Sequence, residues 1–72
     1  MSYWVNKTEN NNNSNYREFY CDKRTDIQKL PKNNKRGENG DFCSFGSACL
    51  CLEDSSVWIL GKDDNQWVEL GV

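Results

Sequence analysis

Gly46-Ser-Ala-Cys-Leu-Cys-Leu-Glu-Asp-Ser-Ser-Val-Trp-Ile-Leu-Gly-Lys-Asp-Asp-Asn-Gln-Trp-Val-Glu-Leu70 constrains the fold of this chain more than any other stretch. Three short runs rich in Val, Ile, Leu, Cys and Trp alternate with two polar clusters, the pattern of strands joined by tight turns. The expected strands are Ser47–Glu53, Val57–Leu60 and Gln66–Leu70. The expected turns are Asp54-Ser55 and Gly61–Asn65. In the first strand Cys49 and Cys51 share one face, and Ala48, Leu50 and Leu52 share the other. Both faces are apolar, which predicts cover on both sides.

Upstream, Tyr16-Arg-Glu-Phe-Tyr-Cys21 suits a half-buried strand, with Phe19 and Cys21 on one face. Thr25–Leu30 reads as a short helix. Thr25 and Gln28 have capping-box spacing, Asp22 is another candidate cap, and Pro31 ends the element near Leu30. Residues 32–41 read as a loop punctuated by Gly37 and Gly40, and Phe42–Phe45 as a short apolar return with the option of another edge strand. The expected fold is mainly β, with a small α+β arrangement as the other option: an N-terminal strand, one short helix and a three-strand antiparallel meander. The expected core is Phe19, Cys21, Ile27, Leu30, Cys49, Leu50, Cys51, Leu52, Val57, Trp58, Ile59, Leu60, Trp67, Val68 and Leu70.

Residues 1–15 divide from the domain at 16–72. Glu9–Asn15 is a low-complexity polar tract that cannot bury enough apolar surface to fold alone. It predicts an extended arm whose apolar hook, Tyr3, Trp4 and Val5, anchors on a partner. The other reading folds Trp4 back onto the domain's own core. A chain of 72 residues buries only about 60% of its unfolded surface, so help from neighbours is expected.

Several chemistries lack their residues. There is no histidine for a Ser-His pair, and no Gly-rich phosphate loop. Zinc is disfavoured because Cys49-Leu-Cys51 is the only close cysteine pair, and Cys21 and Cys43 form no second knuckle. The expectation is buried, reduced cysteines without a cofactor. Asp63-Asp64-Asn65 lacks the ligand spacing of a calcium loop. Trp58 and Trp67 in adjacent strands could form a carbohydrate platform or pack internally. Residues 17–36 hold seven basic side chains against three acids, whereas residues 37–72 hold one base against seven acids. Lys32, Lys35 and Arg36 therefore form a candidate partner-binding loop. The acid-rich remainder argues against nucleic acid. No apolar run is long enough to span a bilayer. No signal peptide is recognisable at the start, so cytosolic synthesis and no membrane partner are expected.

Tyr16-Arg-Glu-Phe-Tyr-Cys-Asp22, Thr25-Asp-Ile-Gln-Lys-Leu-Pro31, Gly46-Ser47, Glu53-Asp-Ser-Ser-Val-Trp-Ile-Leu60 and Gln66-Trp-Val-Glu-Leu70 together resemble a group of very short virion-associated proteins. These are encoded by tailed bacteriophages of low-GC Gram-positive bacteria, clostridial ones in particular. The resemblance spans about residues 16–70 and carries no active site to transfer. It implies a non-enzymatic virion component made in the host cytoplasm, most simply a capsid decoration protein. The implied partners are the major capsid protein or other virion proteins, with many copies per particle or a homo-oligomer. The alternatives are a tail, neck or fibre-attachment component and, from another class, a carbohydrate- or host-surface-binding module.

Overall fold

A computed structural model describes residues 3–11 and 14–71, with side chains at 3–5 and 16–71. Five strands form one sheet in sequence order: β1 (Tyr3–Asn11), β2 (Ser14–Cys21), β3 (Ala48–Cys51), β4 (Ser56–Gly61) and β5 (Gln66–Glu69). β1 and β2 are an antiparallel pair, β2 and β3 run parallel, and β3, β4 and β5 are the antiparallel meander. The protein is therefore mainly β.

The parallel step has a physical consequence. Parallel neighbours need a long crossover, because a tight turn cannot return the chain to the same end. Residues 22–47 make that crossover and include a 3-10 turn at Arg24–Lys29. Its cap is not the expected Thr25–Gln28 pair. The Lys23 amide donates to Asp26 Oδ2 at 3.0 Å, and both Thr25 and Gln28 are exposed. Phe42–Phe45 adds no strand; it is irregular chain that carries the buried Cys43.

The crossover covers one face of the sheet. Under it lie Tyr3, Phe19, Cys21, Ile27, Leu30, Cys43, Cys49, Cys51, Leu60 and Trp67, with Phe45 and Trp58 partly buried against them. Edge-to-face rings run through the middle: Tyr3 to Phe19 at 5.6 Å, and Phe19 to Trp67 at 6.1 Å. The Trp67 indole N–H donates to the Pro31 carbonyl at 3.0 Å, and the Cys43 thiol uses the same oxygen at 3.4 Å.

Three corrections follow. The segment expected as an arm over residues 1–15 is, over its described residues, a strand of the sheet. Tyr3 is wholly buried, so it packs in the core rather than anchoring on a partner. The fold-back reading, entertained for Trp4, applies to its neighbour. Leu50, Leu52, Val57, Val68 and Leu70 were expected in the core and are 39–54% exposed. The reason is that only one sheet face has a crossover above it, so the apolar residues of the other face meet solvent. Trp58 and Ile59 are half-buried.

Tyr3 also ties the crossover down. Its hydroxyl donates to Asp41 Oδ1 at 2.7 Å and accepts from the Asn39 amide at 3.1 Å. Gly37 passes directly beneath. A β-carbon there would lie 2.6 Å from the Pro31 nitrogen, so no other residue fits without moving backbone.

Candidate functional site: the open sheet face

The uncovered face of the sheet is built by period-two alternation. Cross-strand pairs set Trp4 opposite Tyr20, Tyr20 opposite Leu50, and Leu50 opposite Val57. The next row sets Glu18 opposite Ala48, Ala48 opposite Ile59, and Ile59 opposite Val68. Trp4 and Tyr20 stack at 5.2 Å with 20° between planes. On β1 the second row continues to Lys7, opposite Glu18, so the two charged residues of these rows stand at one end. A shallow hollow of about 480 Å³ lies between the rows, lined by Glu18, Tyr20, Ala48, Leu50, Leu52 and Val57. Of the expected anchors, Trp4 stands on this face. Val5 is exposed too, but it pairs with Phe19 at the rim of the covered side.

Beyond the sheet proper, β1 and β2 continue as a two-stranded ribbon. β2 pairs with β3 only over Glu18–Cys21, whereas β1 pairs with β2 as far as Asn11 and Ser14. A side-chain bond, Arg17 amide to Ser47 Oγ at 3.1 Å, marks where β3 stops supporting β2.

The covered side has its own hollow of about 530 Å³, lined by Arg24, Ile27, Gln28, Lys32, Trp58, Gln66 and Trp67. Arg24 Nη1 meets Asp54 Oδ2 at 2.7 Å and Nη2 meets Glu69 Oε1 at 2.6 Å. The guanidinium carbon lies 5.1 Å from the centre of the Trp58 ring. Hydrogen bonds from Arg24 and then Ser56 hold the Asp54 carboxyl well below the usual carboxylate range. The Trp58 indole N–H donates to Ser56 Oγ at 2.9 Å. The two tryptophans therefore do not form a shared open platform: Trp67 is 9% exposed, and Trp58 lies under Arg24.

The basic loop is dispersed as well. Lys32 Nζ donates to Gln66 Oε1 at 3.0 Å. Arg36 Nη1 donates to the Gly40 carbonyl at 2.6 Å and stacks on Phe42 at 4.4 Å. Lys35 is exposed, and its backbone bridges to Lys32. In the last turn Asn65 exchanges two hydrogen bonds with the Asn33 backbone, at 3.1 and 3.0 Å, which fastens loop to turn.

All four cysteines are free and buried. Burial pushes the Cys43 and Cys49 thiols up to about 11, and Cys21 higher still. Among the described residues no three Cys, His, Asp or Glu side chains converge as metal ligands. None of the described helical segments is long and apolar enough to cross a membrane.

No family model, curated protein or solved structure matches this chain. Sequence reasoning missed two features of the site. It did not separate the open face from the covered one, because both are apolar. It did not foresee Arg24 on Trp58, which needs the crossover to bring residues far apart in sequence together.

Proposed function

We propose that this chain is a non-enzymatic structural component of a bacteriophage particle, decorating the assembled head through its open sheet face. The observation that carries the reading is that face: Trp4, Tyr20, Leu50, Val57, Ile59 and Val68 in two cross-strand rows whose charged residues, Lys7 and Glu18, stand together at the β1 end. The resemblance over residues 16–70 points the same way.

Area argues for a repetitive partner. Five strands about 4.8 Å apart, paired from β2 to β5 over four residues each, make a face with a footprint of roughly 300 Å². A stable pairwise interface buries about 800 Å² on each partner. One such face is too small to hold one isolated partner firmly. On a shell, neighbouring copies restrain one another, and a high effective concentration replaces area. The β1–β2 ribbon would supply the neighbour contact, extending roughly 13 Å over Thr8–Asn11. A carbohydrate-binding role is less well supported, since Trp67 is buried and Trp58 is covered.

Quantitative mass spectrometry of purified particles tests this. A copy number comparable to the major capsid protein is expected, falling to near zero for a folded Leu50→Lys, Val68→Lys variant. A few copies per particle would move the protein to the neck, tail or fibres. Absence from particles would overturn the reading.

A further inference from the structure

Three of the four thiols converge where β2 meets β3. Cys21 lies directly opposite Cys51 on the parallel neighbour, and Phe19 lies opposite Cys49. Cys21, Cys49 and Cys51 all point to the covered face and are at most 1% exposed. In the reduced form the Cys21 thiol interacts with Cys49 first and Cys51 second, and it donates to the Lys23 carbonyl at 3.4 Å, so forming a bond to Cys51 requires it to turn.

Strand geometry chooses among the pairings. Neighbouring strands lie about 4.8 Å apart, so Cys21 and Cys51 fall inside the disulfide range of about 4.4–6.8 Å between α-carbons. Their side chains leave the same face side by side, so their β-carbons lie near the interstrand spacing of about 4.8 Å and need to close by about 1 Å to reach the mean bonded separation of about 3.8 Å. Cys21 and Cys49 are offset by two residues, so about 4.8 Å across and about 6.6 Å along the strands put their α-carbons about 8 Å apart, beyond that range. Cys49 and Cys51 lie two residues apart on one strand with parallel side chains about 6.6 Å apart, too far for β-carbons that must approach to about 4 Å. Cys43 sits in the crossover, bonded to Pro31.

We propose that Cys21 and Cys51 are a preset disulfide pair, closed by exchange with a low-molecular-weight disulfide whenever β2 and β3 open or first assemble. The Cys21 thiolate attacks one sulfur of oxidised glutathione and releases a glutathione thiolate. The Cys51 thiolate then attacks Sγ of Cys21 in the mixed disulfide and releases the second. The protein gives up two protons and two electrons, and the oxidant leaves as two thiols. The bond staples the two central strands across the whole crossover, which constrains the unfolded chain. In the folded, reduced protein the pair is sealed from solvent. The pairing does not depend on the proposed virion role. It would suit that role, since a particle component is made in a reducing cytosol and works outside it.

The test uses the full chain, unfolded, reduced, and refolded to equilibrium with oxidised glutathione. Free thiols are then blocked with iodoacetamide. The monomer is digested with trypsin without reduction. The expected product joins Glu18–Lys23 to Gly37–Lys62. After later reduction, Cys21 and Cys51 alone lack the label. The linkage disappears in Cys51→Ser and persists in Cys49→Ser, and the oxidised form unfolds at higher urea than the reduced one. Four labelled cysteines, an unlabelled pair containing Cys43 or Cys49, or a linkage found only between chains would each overturn the proposal. The labelling pattern of the unsubstituted chain decides the matter even where a variant fails to fold.

Discussion

Tyr3 joins the sheet core to the crossover. It is fully buried, packs edge-on to Phe19, and holds the crossover through Asp41 and Asn39. Tyr3→Phe keeps the ring but removes the hydroxyl's bonds to the half-buried Asp41 carboxylate and the exposed Asn39 amide, partners that water and Arg17 can still reach. Losing such bonds costs about 0.5–1.5 kcal/mol each. Tyr3→Ala also opens a cavity, for a total of about 3–5 kcal/mol. Urea unfolding of both variants checks the order, and a Tyr3→Phe variant as stable as the unsubstituted chain would mean that the hydroxyl does nothing. Alkali should act at the same residue and at the thiols. Burial, then the bond to Asp41, raises the Tyr3 phenol above its ordinary value. Burial likewise raises Cys43 and Cys49 to about 11. Each folded group holds its proton where the unfolded one has lost it. Their contribution is therefore complete below about pH 8.5, the ordinary thiol value, and is lost as pH climbs through 11. Urea midpoints measured from pH 7 to 11 should fall steadily above pH 9. Over the same range a thiol reagent should label the native protein slowly at pH 7 and much faster as the fold weakens.

At the scale of elements, the meander was legible and the N-terminus was not. Ala48–Cys51, Ser56–Gly61 and Gln66–Glu69 lie within a residue or two of the strands read from alternation and turn residues. The turns hold because Ser55 and Asn65 accept left-handed backbone, at φ 60° and 52°. β1 was hidden for a physical reason. Its Asn-rich half has no apolar period, and its place in the sheet comes from pairing with β2, a tertiary interaction that propensity does not contain. The parallel step was hidden likewise, since nothing in β2 or β3 marks the direction of its neighbour. Truncation separates a strand at the N-terminus from a free arm. Were residues 1–15 a free arm, the remaining 16–72 would fold alone. Removing them takes away all of β1, bares Phe19 and leaves Asp41 and Asn39 without Tyr3. The truncated chain should lose its near-ultraviolet dichroism and cooperative urea transition. A 16–72 fragment that unfolds like the full chain would contradict the core described here.

For the whole molecule, the open face and the basic loop are rival attachment surfaces, and ionic strength separates them. The open face is apolar between Tyr20 and Val68, with Glu18 and its cross-strand partner Lys7 at one margin, while Lys32, Lys35 and Arg36 belong to the crossover on the other side of the sheet. Apolar burial is indifferent to moderate salt or strengthened by it. Contacts between exposed charges fade once the screening length drops from about 10 Å at 0.1 M to about 3 Å at 1 M. If the open face attaches the protein to a particle, retention should be the same at both NaCl concentrations. Substituting Leu50→Lys and Val68→Lys should abolish it at either. Both positions are exposed, so each change should alter folding stability by no more than about 0.5 kcal/mol. Matched urea midpoints would then assign the loss to the surface rather than to unfolding. Release at high salt, with attachment surviving the two lysines and disappearing in Lys32→Glu, Lys35→Glu, would transfer the interface to the crossover and leave the open face without a role.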